Sequence, residues 1–271
     1  TGGASGVGKA MAATFLREGM KVVIADVEAS ALEAAVTELR LSHHHIPRLN
    51  RRSRPPKSPQ FVKVTSERYP RLSIVRTLRN DGCVYLGPFR NRRIAANVVA
   101  AIWDSIPIRR CITKGGKRSA ACSFAQLGVA VCPCDGSVPD EHYQEIVNRL
   151  RRGIERHPAE LLDPLVARMR EYARTSRFEE AADTRDRHRA LAAALADRRH
   201  WGVLRQAGLL WAEDSQGESL LAEGGRLVAA WGPGEQPPLE VVAPTAGSTD
   251  LVPPTVAAAD EARLVWKWLD R

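Results

Sequence analysis

Four of the chain's five cysteines, Cys111, Cys122, Cys132 and Cys134, crowd into "RRCITKGGKRSAACSFAQLGVAVCPCDG". Thiols grouped this way can pair as disulfides, ligate a soft metal or an iron–sulfur cluster, or stand vacant as the remnant of such a site. An odd count of five sits badly with a pure disulfide framework. No secretory pattern opens the sequence and no apolar run is long enough to span a bilayer, so the expected setting is the cytoplasm, where thiols stay reduced. Three adjacent histidines, His43, His44 and His45, cannot all face one ion from a helix or a strand, and they read as solvated residues of a basic arm.

The cysteines sit in positive surroundings. The 271 residues carry a formal charge of +9, with a sequence pI near 9.7, which points to a polyanionic partner, nucleic acid first. From Arg48 to Lys57 there are five cations and no acid; from Arg90 to Arg118 there are eight against Asp104 alone. Arg51, Arg52, Arg54, Arg92 and Arg93 are the candidate phosphate contacts, which would hold DNA without reading its bases.

The elements that must position these groups follow from patterning. The fold class is α+β, built of several modules. "FVKVT", "LSIVRTL" and "CVYLGPF" alternate as strands, and the Asp-Gly in "RNDG" predicts a hairpin between the last two. Cys83 is expected as a buried residue of the last strand. A helix is predicted from about Arg93 to Ser105, and the cysteine stretch is a loop broken by Pro and Gly. "PDEHYQEIVNRLRRGIERH" has acids in its first turn and cations in its last, as a helix dipole favours. Residues 158–198 read as a helical hairpin whose second arm starts at a capping box, Ser176 with Glu179. Phe178, Ala181, Ala182 and Arg185 share one face of that arm. From about Trp201 the pattern gives short strands and then a closing helix, "TVAAADEARLVWKWLDR", none of it suggesting chemistry.

The first 37 residues read differently. Gly2, Gly6 and Gly8 form a Gly-rich turn ahead of an amphipathic helix, and Asp26 ends the strand "KVVIADV" where an acid could accept ribose hydroxyls. This piece resembles the first half-unit of short-chain dehydrogenases, which implies NAD(P). Neither a Tyr-x-x-x-Lys pair nor further strand–helix alternation follows, and half a unit cannot cover its own strand faces, so NAD(P) binding is not expected. The chain opens at Thr1 inside the motif and is read as a fragment or fusion product.

From residue 38 to about 198 the sequence resembles UvrC-type excision nucleases. "FVKVT", "YPR", "GPF" and "IRRC" recur in the family's order; the cysteine stretch matches its cysteine-rich region, and "RFEEAADTRDRHRAL" matches its UVR motif. The residues from Trp201 on look like actinobacterial relatives that join a DnaQ-like (DEDD) exonuclease to a UvrC-like half. The resemblance implies modules at 1–37 (dehydrogenase-like), 38–60 (end of a GIY-YIG-like nuclease domain and basic arm), 61–157 (core with the cysteine-rich region), 158–198 (UVR hairpin) and 199–271 (tail).

What the resemblance implies for the chemistry is metal-assisted phosphodiester hydrolysis by Mg²⁺ or Mn²⁺ in the intact family, with Glu38 holding the ion and Asn50 beside it. The Tyr and Arg that such nuclease domains supply earlier are absent, so this chain is expected to bind DNA and dock a partner without a complete active site. The implied partner is a UvrB-like helicase subunit, met by Phe178, Glu179, Ala182, Arg185 and Asp186. Four cysteines ligate an iron–sulfur cluster in the family. Cys111, Cys122 and Cys134 fall at matching positions, whereas Ala130 stands where the third cysteine belongs and Cys132 lies two residues on. A 4Fe-4S cluster, a zinc ion and vacant thiols all stay open. A non-catalytic DNA-binding module and a dehydrogenase fragment are the competing readings.

Overall fold

A computed structural model describes residues 31–46, 56, 58–113, 116, 120–235 and 252–271. The chain is α+β; its described residues form two small antiparallel sheets of three strands each and fall into two compact units. Gly2, Gly6, Gly8, Asp26, Asn50, Arg51, Arg52 and Arg54 lie outside the described residues.

One unit comprises residues 56–199 with 252–254. Its sheet has β1 (Gln60–Val64) at the centre, flanked by β2 (Leu72–Val75) and β3 (Val84–Phe89), both antiparallel to it. Val62 lies opposite Ile74 on one side and Leu86 on the other. The hairpin expected at Asp81-Gly82 is therefore not one: the segment carries the chain across β1 from one edge of the sheet to the other. Asp81 explains the exchange. Its carboxylate accepts from the amide of Cys83 at 3.2 Å, from the Tyr85 hydroxyl and from the Lys63 ammonium, so the turn is tied down onto β1 and β3 instead of zipping β2 to β3. Gly82 supplies the positive φ of 66°. Cys83 ends this crossover one residue ahead of β3, half-buried, and is not a strand residue.

Against the sheet packs α2 (Arg92–Ser105), capped by the Asn91 side chain, which accepts from the Ile94 amide. Small residues let it lie close, with Ala95 and Ala101 fully buried beside Val98, Val99 and Ile102. Then come a four-residue helix, α3 (Ser123–Gln126), and a 3₁₀ turn at Pro133–Asp135; α4 (Asp140–Glu155) follows. Next are α5 (Ala159–Arg174) and α6 (Phe178–Ala207). Leu161, Leu165, Leu191, Ala194 and Leu195 anchor the base of this helical hairpin in the core. Asp104, the lone acid of the Arg90–Arg118 stretch, pins both arms by pairing with Arg168 at 3.0 Å and Arg187 at 2.8 Å.

Ser176 does not open α6. It takes φ 59°, and its amide bonds the Ala173 carbonyl while that of Arg177 bonds Tyr172, which is the hydrogen-bond pattern of a Schellman stop for α5. The residue that looked like the start of one helix ends the other. The second arm also runs to Ala207, so Trp201 is helical and the first strand of the tail begins only at Leu209.

Gly153 marks the closest approach of α4 and α5. A methyl there would sit 2.5 Å from Leu161 Cγ. Alanine is the better helix former by about 1 kcal/mol, yet Gly153→Ala is expected to lower stability by about 1–3 kcal/mol, because Leu161 is fully buried and cannot retreat. A urea midpoint that rises instead would show that the contact is looser than drawn.

The other unit contains α1 (Ala31–His45), β4 (Leu209–Glu213), β5 (Ser219–Glu223), β6 (Arg226–Trp231) and α7 (Val256–Leu269), together with the end of α6. The sheet order is β4-β5-β6. Leu32 and Val36 of α1, Leu220 and Leu227 of the sheet, and Val265 and Trp268 of α7 share one core with Trp201 and Leu204. The histidines meet the expectation in part, since His44 and His45 are exposed. They form the last turn of α1, and His43 is not solvated: its side chain is 9% exposed and lies 3.7 Å from Asp260.

Candidate functional site

Cys111, Cys122, Cys132 and Cys134 come together as a small buried cluster of their own, with Ala130 among them and Ala125 against it. The sulfurs of Cys111, Cys122 and Cys132 lie within 4.8 Å of one another, and no other group of three His, Cys, Asp or Glu side chains is gathered this way among the described residues. Cys134 is fully buried in the same cluster. All five cysteines are free thiols.

Local sequence explains the convergence. Cys122 is the residue ahead of α3, and the Ala125 and Gln126 amides bond its carbonyl. Pro133 then starts the 3₁₀ turn that folds Cys134 back beside Cys132, and Gly136 at φ 83° closes it. The Val131 amide bonds the Pro107 carbonyl at 2.7 Å, which ties the loop carrying Cys132 to the segment leading into Cys111.

Burial pushes the Cys111 thiol up to about 12, reinforced by Cys132. Burial also raises Cys132. At Cys122 burial acts in the same direction, but the Ala125 amide and the neighbouring thiols outweigh it and bring the group down to about 7. A dry pocket of closely spaced thiols is suited to thiolates neutralised by a cation. The donor set is soft, which excludes Mg²⁺ and Ca²⁺ as its natural occupants.

Two supports were not picked out from sequence. Arg109 is 1% exposed and reaches Glu67 at 2.9 Å and the Thr113 carbonyl at 2.7 Å, bracing the loop that carries Cys111. The buried Tyr143 hydroxyl accepts from the Arg109 amide and donates to the Pro70 carbonyl. The only sequence signal was the adjacency of two arginines to a cysteine, which reads equally well as surface charge. Arg110 does lie partly at the surface, stacked on Trp103 with its guanidinium 5.1 Å from the ring centre.

The remaining predicted residues are placed as follows. Arg92 and Arg93 are exposed in the first turn of α2, a turn with no acid in it. Phe178 is 67% exposed at the start of α6; Glu179, Arg185 and Asp186 are exposed and Ala182 is half-buried. Glu38 is exposed in the middle of α1, and no cluster of three ligand side chains includes it among the described residues.

A basic α+β unit built on a buried four-cysteine cluster and carrying a protruding helical hairpin is the class these features define. Residues 60–153 match the family model of the UvrC/Cho excinuclease middle domain. The chain is 32% identical over 171 residues to the UvrABC system protein C of Desulforudis audaxviator, covering 63% of this chain and 28% of the relative. To that of Thermus thermophilus it is 34% identical over 163 residues, 60% of this chain and again 28% of the relative. It therefore spans between a quarter and a third of the length of these curated relatives. Residues 1–90 also match the short-chain dehydrogenase family. Where the two family matches overlap, at 60–90, the sheet is antiparallel throughout, unlike the parallel sheet of a nucleotide-binding unit. No solved structure matches the chain.

No helix among the described residues is long and apolar enough to cross a membrane.

Proposed function

We propose that this chain is the DNA-holding and partner-docking portion of a UvrC-like repair nuclease, working in the cytoplasm without a complete active site of its own. The observation that carries the reading is the match of residues 60–153 to the middle-domain family together with the convergence of its four cysteines into one buried site. The site holds a soft metal through those thiolates and so fixes a loop that has little core of its own.

Arg92 and Arg93 supply the phosphate contacts. Cations at the amino end of a helix oppose its dipole, so their place in the first turn of α2 costs stability, and a bound phosphate reverses the sign of that interaction. The double change Arg92→Glu/Arg93→Glu is expected to weaken duplex binding at least tenfold near physiological salt. It should also flatten the slope of log K against log salt by roughly 2. Unchanged affinity and slope would remove these residues from the interface.

The hairpin tip is the docking element. Its base is buried in the core, while Phe178 projects into solvent beside the small Ala181 and Ala182. The partner is a UvrB-like helicase subunit; Phe178→Ala that leaves its capture unchanged defeats this assignment. The modules at 38–60, 158–198 and 199–271 are proposed on the same resemblance. Specific nicking of a Mg²⁺-supplemented plasmid that disappears with Glu38→Ala would show that a working nuclease site exists after all. NAD(P)H binding, read by a shift in protein fluorescence, would favour the dehydrogenase reading over this one.

A further inference from the structure

The family resemblance implies an iron–sulfur cluster, and the spacing of three of the four thiols does not fit one. In a cubane each cysteine binds a different iron, so the ligand sulfurs stand roughly 6 Å apart around the cluster's four sulfides and four irons. Here the sulfurs of Cys111, Cys122 and Cys132 all lie within 4.8 Å of one another. Thiolates at 2.3 Å around a single tetrahedral ion are about 3.8 Å apart, which the spacing of these three allows, and Cys134, buried in the same cluster but outside that group of three, completes the set. Sulfurs this close leave no room between them for a cluster of four irons and four sulfides.

The sequence beside the site departs from the spacing of the resembling family. Ala130 fills the position where the resemblance places the third cysteine; it is 5% exposed and packs within the cysteine cluster. The replacement, Cys132, is joined to Cys134 through a single proline in a 3₁₀ turn, a shorter tether than the two-residue spacers usual in cluster-binding runs.

Resting on the reading of the four cysteines as a metal site, we infer that this chain binds one zinc ion through Cys111, Cys122, Cys132 and Cys134 in place of a 4Fe-4S cluster. Four thiolates around one ion leave a net double negative charge. The surrounding cations of the cysteine stretch offset it. Zinc takes tetrahedral thiolate without geometric preference, and it outranks ferrous iron for one such site. The role is structural: a redox-inert clamp that holds the loop between α2 and α4.

The test is elemental analysis of the full chain, produced with both zinc and iron supplied and purified without oxygen. The expected result is one zinc per chain, no acid-labile sulfide, a colourless protein, and four thiols that react only after chelation. Cobalt exchanged into the site should give the intense visible bands of a tetrahedral thiolate complex. Cys132→Ser should lose the zinc. The exchange Ala130→Cys/Cys132→Ala, which restores the spacing of the resembling family, should take up iron and sulfide instead. Four irons with sulfide and absorbance near 400 nm in the unaltered chain would overturn the zinc inference while upholding a metal site. No metal, with four freely reactive thiols, would overturn both.

Discussion

Arg109→Met is expected to cost the unit of residues 56–199 about 2–3 kcal/mol, the low end of the range for breaking a buried ion pair. The guanidinium is 1% exposed, so its loss leaves a polar cavity that methionine fills only in part; the Glu67 carboxylate is about a third exposed, and water recovers some of its share. The same change strips the donor from the Thr113 carbonyl, two residues from Cys111. Metal release to a chelator should therefore quicken along with the drop in urea midpoint. Arg109→Lys keeps the charge but not the forked geometry that reaches Glu67 and Thr113 together, so it should fall between the two.

The pair also carries a pH dependence. Burial would raise the Glu67 carboxyl, but bonds from Thr65 and Arg109 and the charges of Arg109 and Arg71 outweigh it and hold the group below its ordinary value. A carboxyl depressed by folding contributes stability above its unfolded value, about 4.3 for glutamate, and that contribution drains away as pH falls through the folded value. Stability should thus decline on the acid side below about pH 4–5, and Arg109→Met should make that decline shallower. An unchanged midpoint and acid limb would show that Arg109 braces nothing.

Glu261→Ala is the second large effect, about 2–4 kcal/mol, confined to the unit built on α1, α7 and the β4–β6 sheet. The Glu261 carboxylate is nearly buried; it accepts from both Nε and Nη2 of Arg40 and, at 2.9 Å, from the Leu227 amide. Arg40 donates onward to the Leu227 carbonyl at 2.7 Å, so one side chain from each of two helices closes on a single sheet residue. Truncation leaves the buried Leu227 N–H without its partner and Arg40 without its counter-charge; Arg40 is partly exposed, which moderates the loss. Five of the six tryptophans (Trp201, Trp211, Trp231, Trp266 and Trp268) lie in this unit, so intrinsic fluorescence follows its unfolding. A midpoint within error of the unaltered chain would mean that α1 contributes little to it.

That interaction also shows how far sequence reading reached. The helical register around Glu38 was legible, and so was the closing helix, because each carries its own period and flanking signals. Their shared core was not. Leu32 and Val265 are separated by most of the chain, and nothing in a period of 3.6 residues says which face meets which. The strands behaved alike: "FVKVT" and "CVYLGPF" were readable as strands, but the local Asp-Gly signal suggested a hairpin, and Asp81 instead bonds groups on two other segments. Ser176 was misread for a related reason, since a serine between helices can cap the next one or close the last, and only its φ distinguishes them.

By itself the sequence determined the class of strands and helices, the positive charge, the four cysteines and the family likeness, because these are properties of residue type and short-range spacing. Tertiary structure decided the strand order, the burial of Arg109 and His43, and the distance between sulfurs brought together from Cys111, Cys122 and Cys132. Spacing along the chain limits how far apart two thiols can be. Only the packing of the segments between them sets how close they come, and that closeness separates a site for one ion from a site for a cluster.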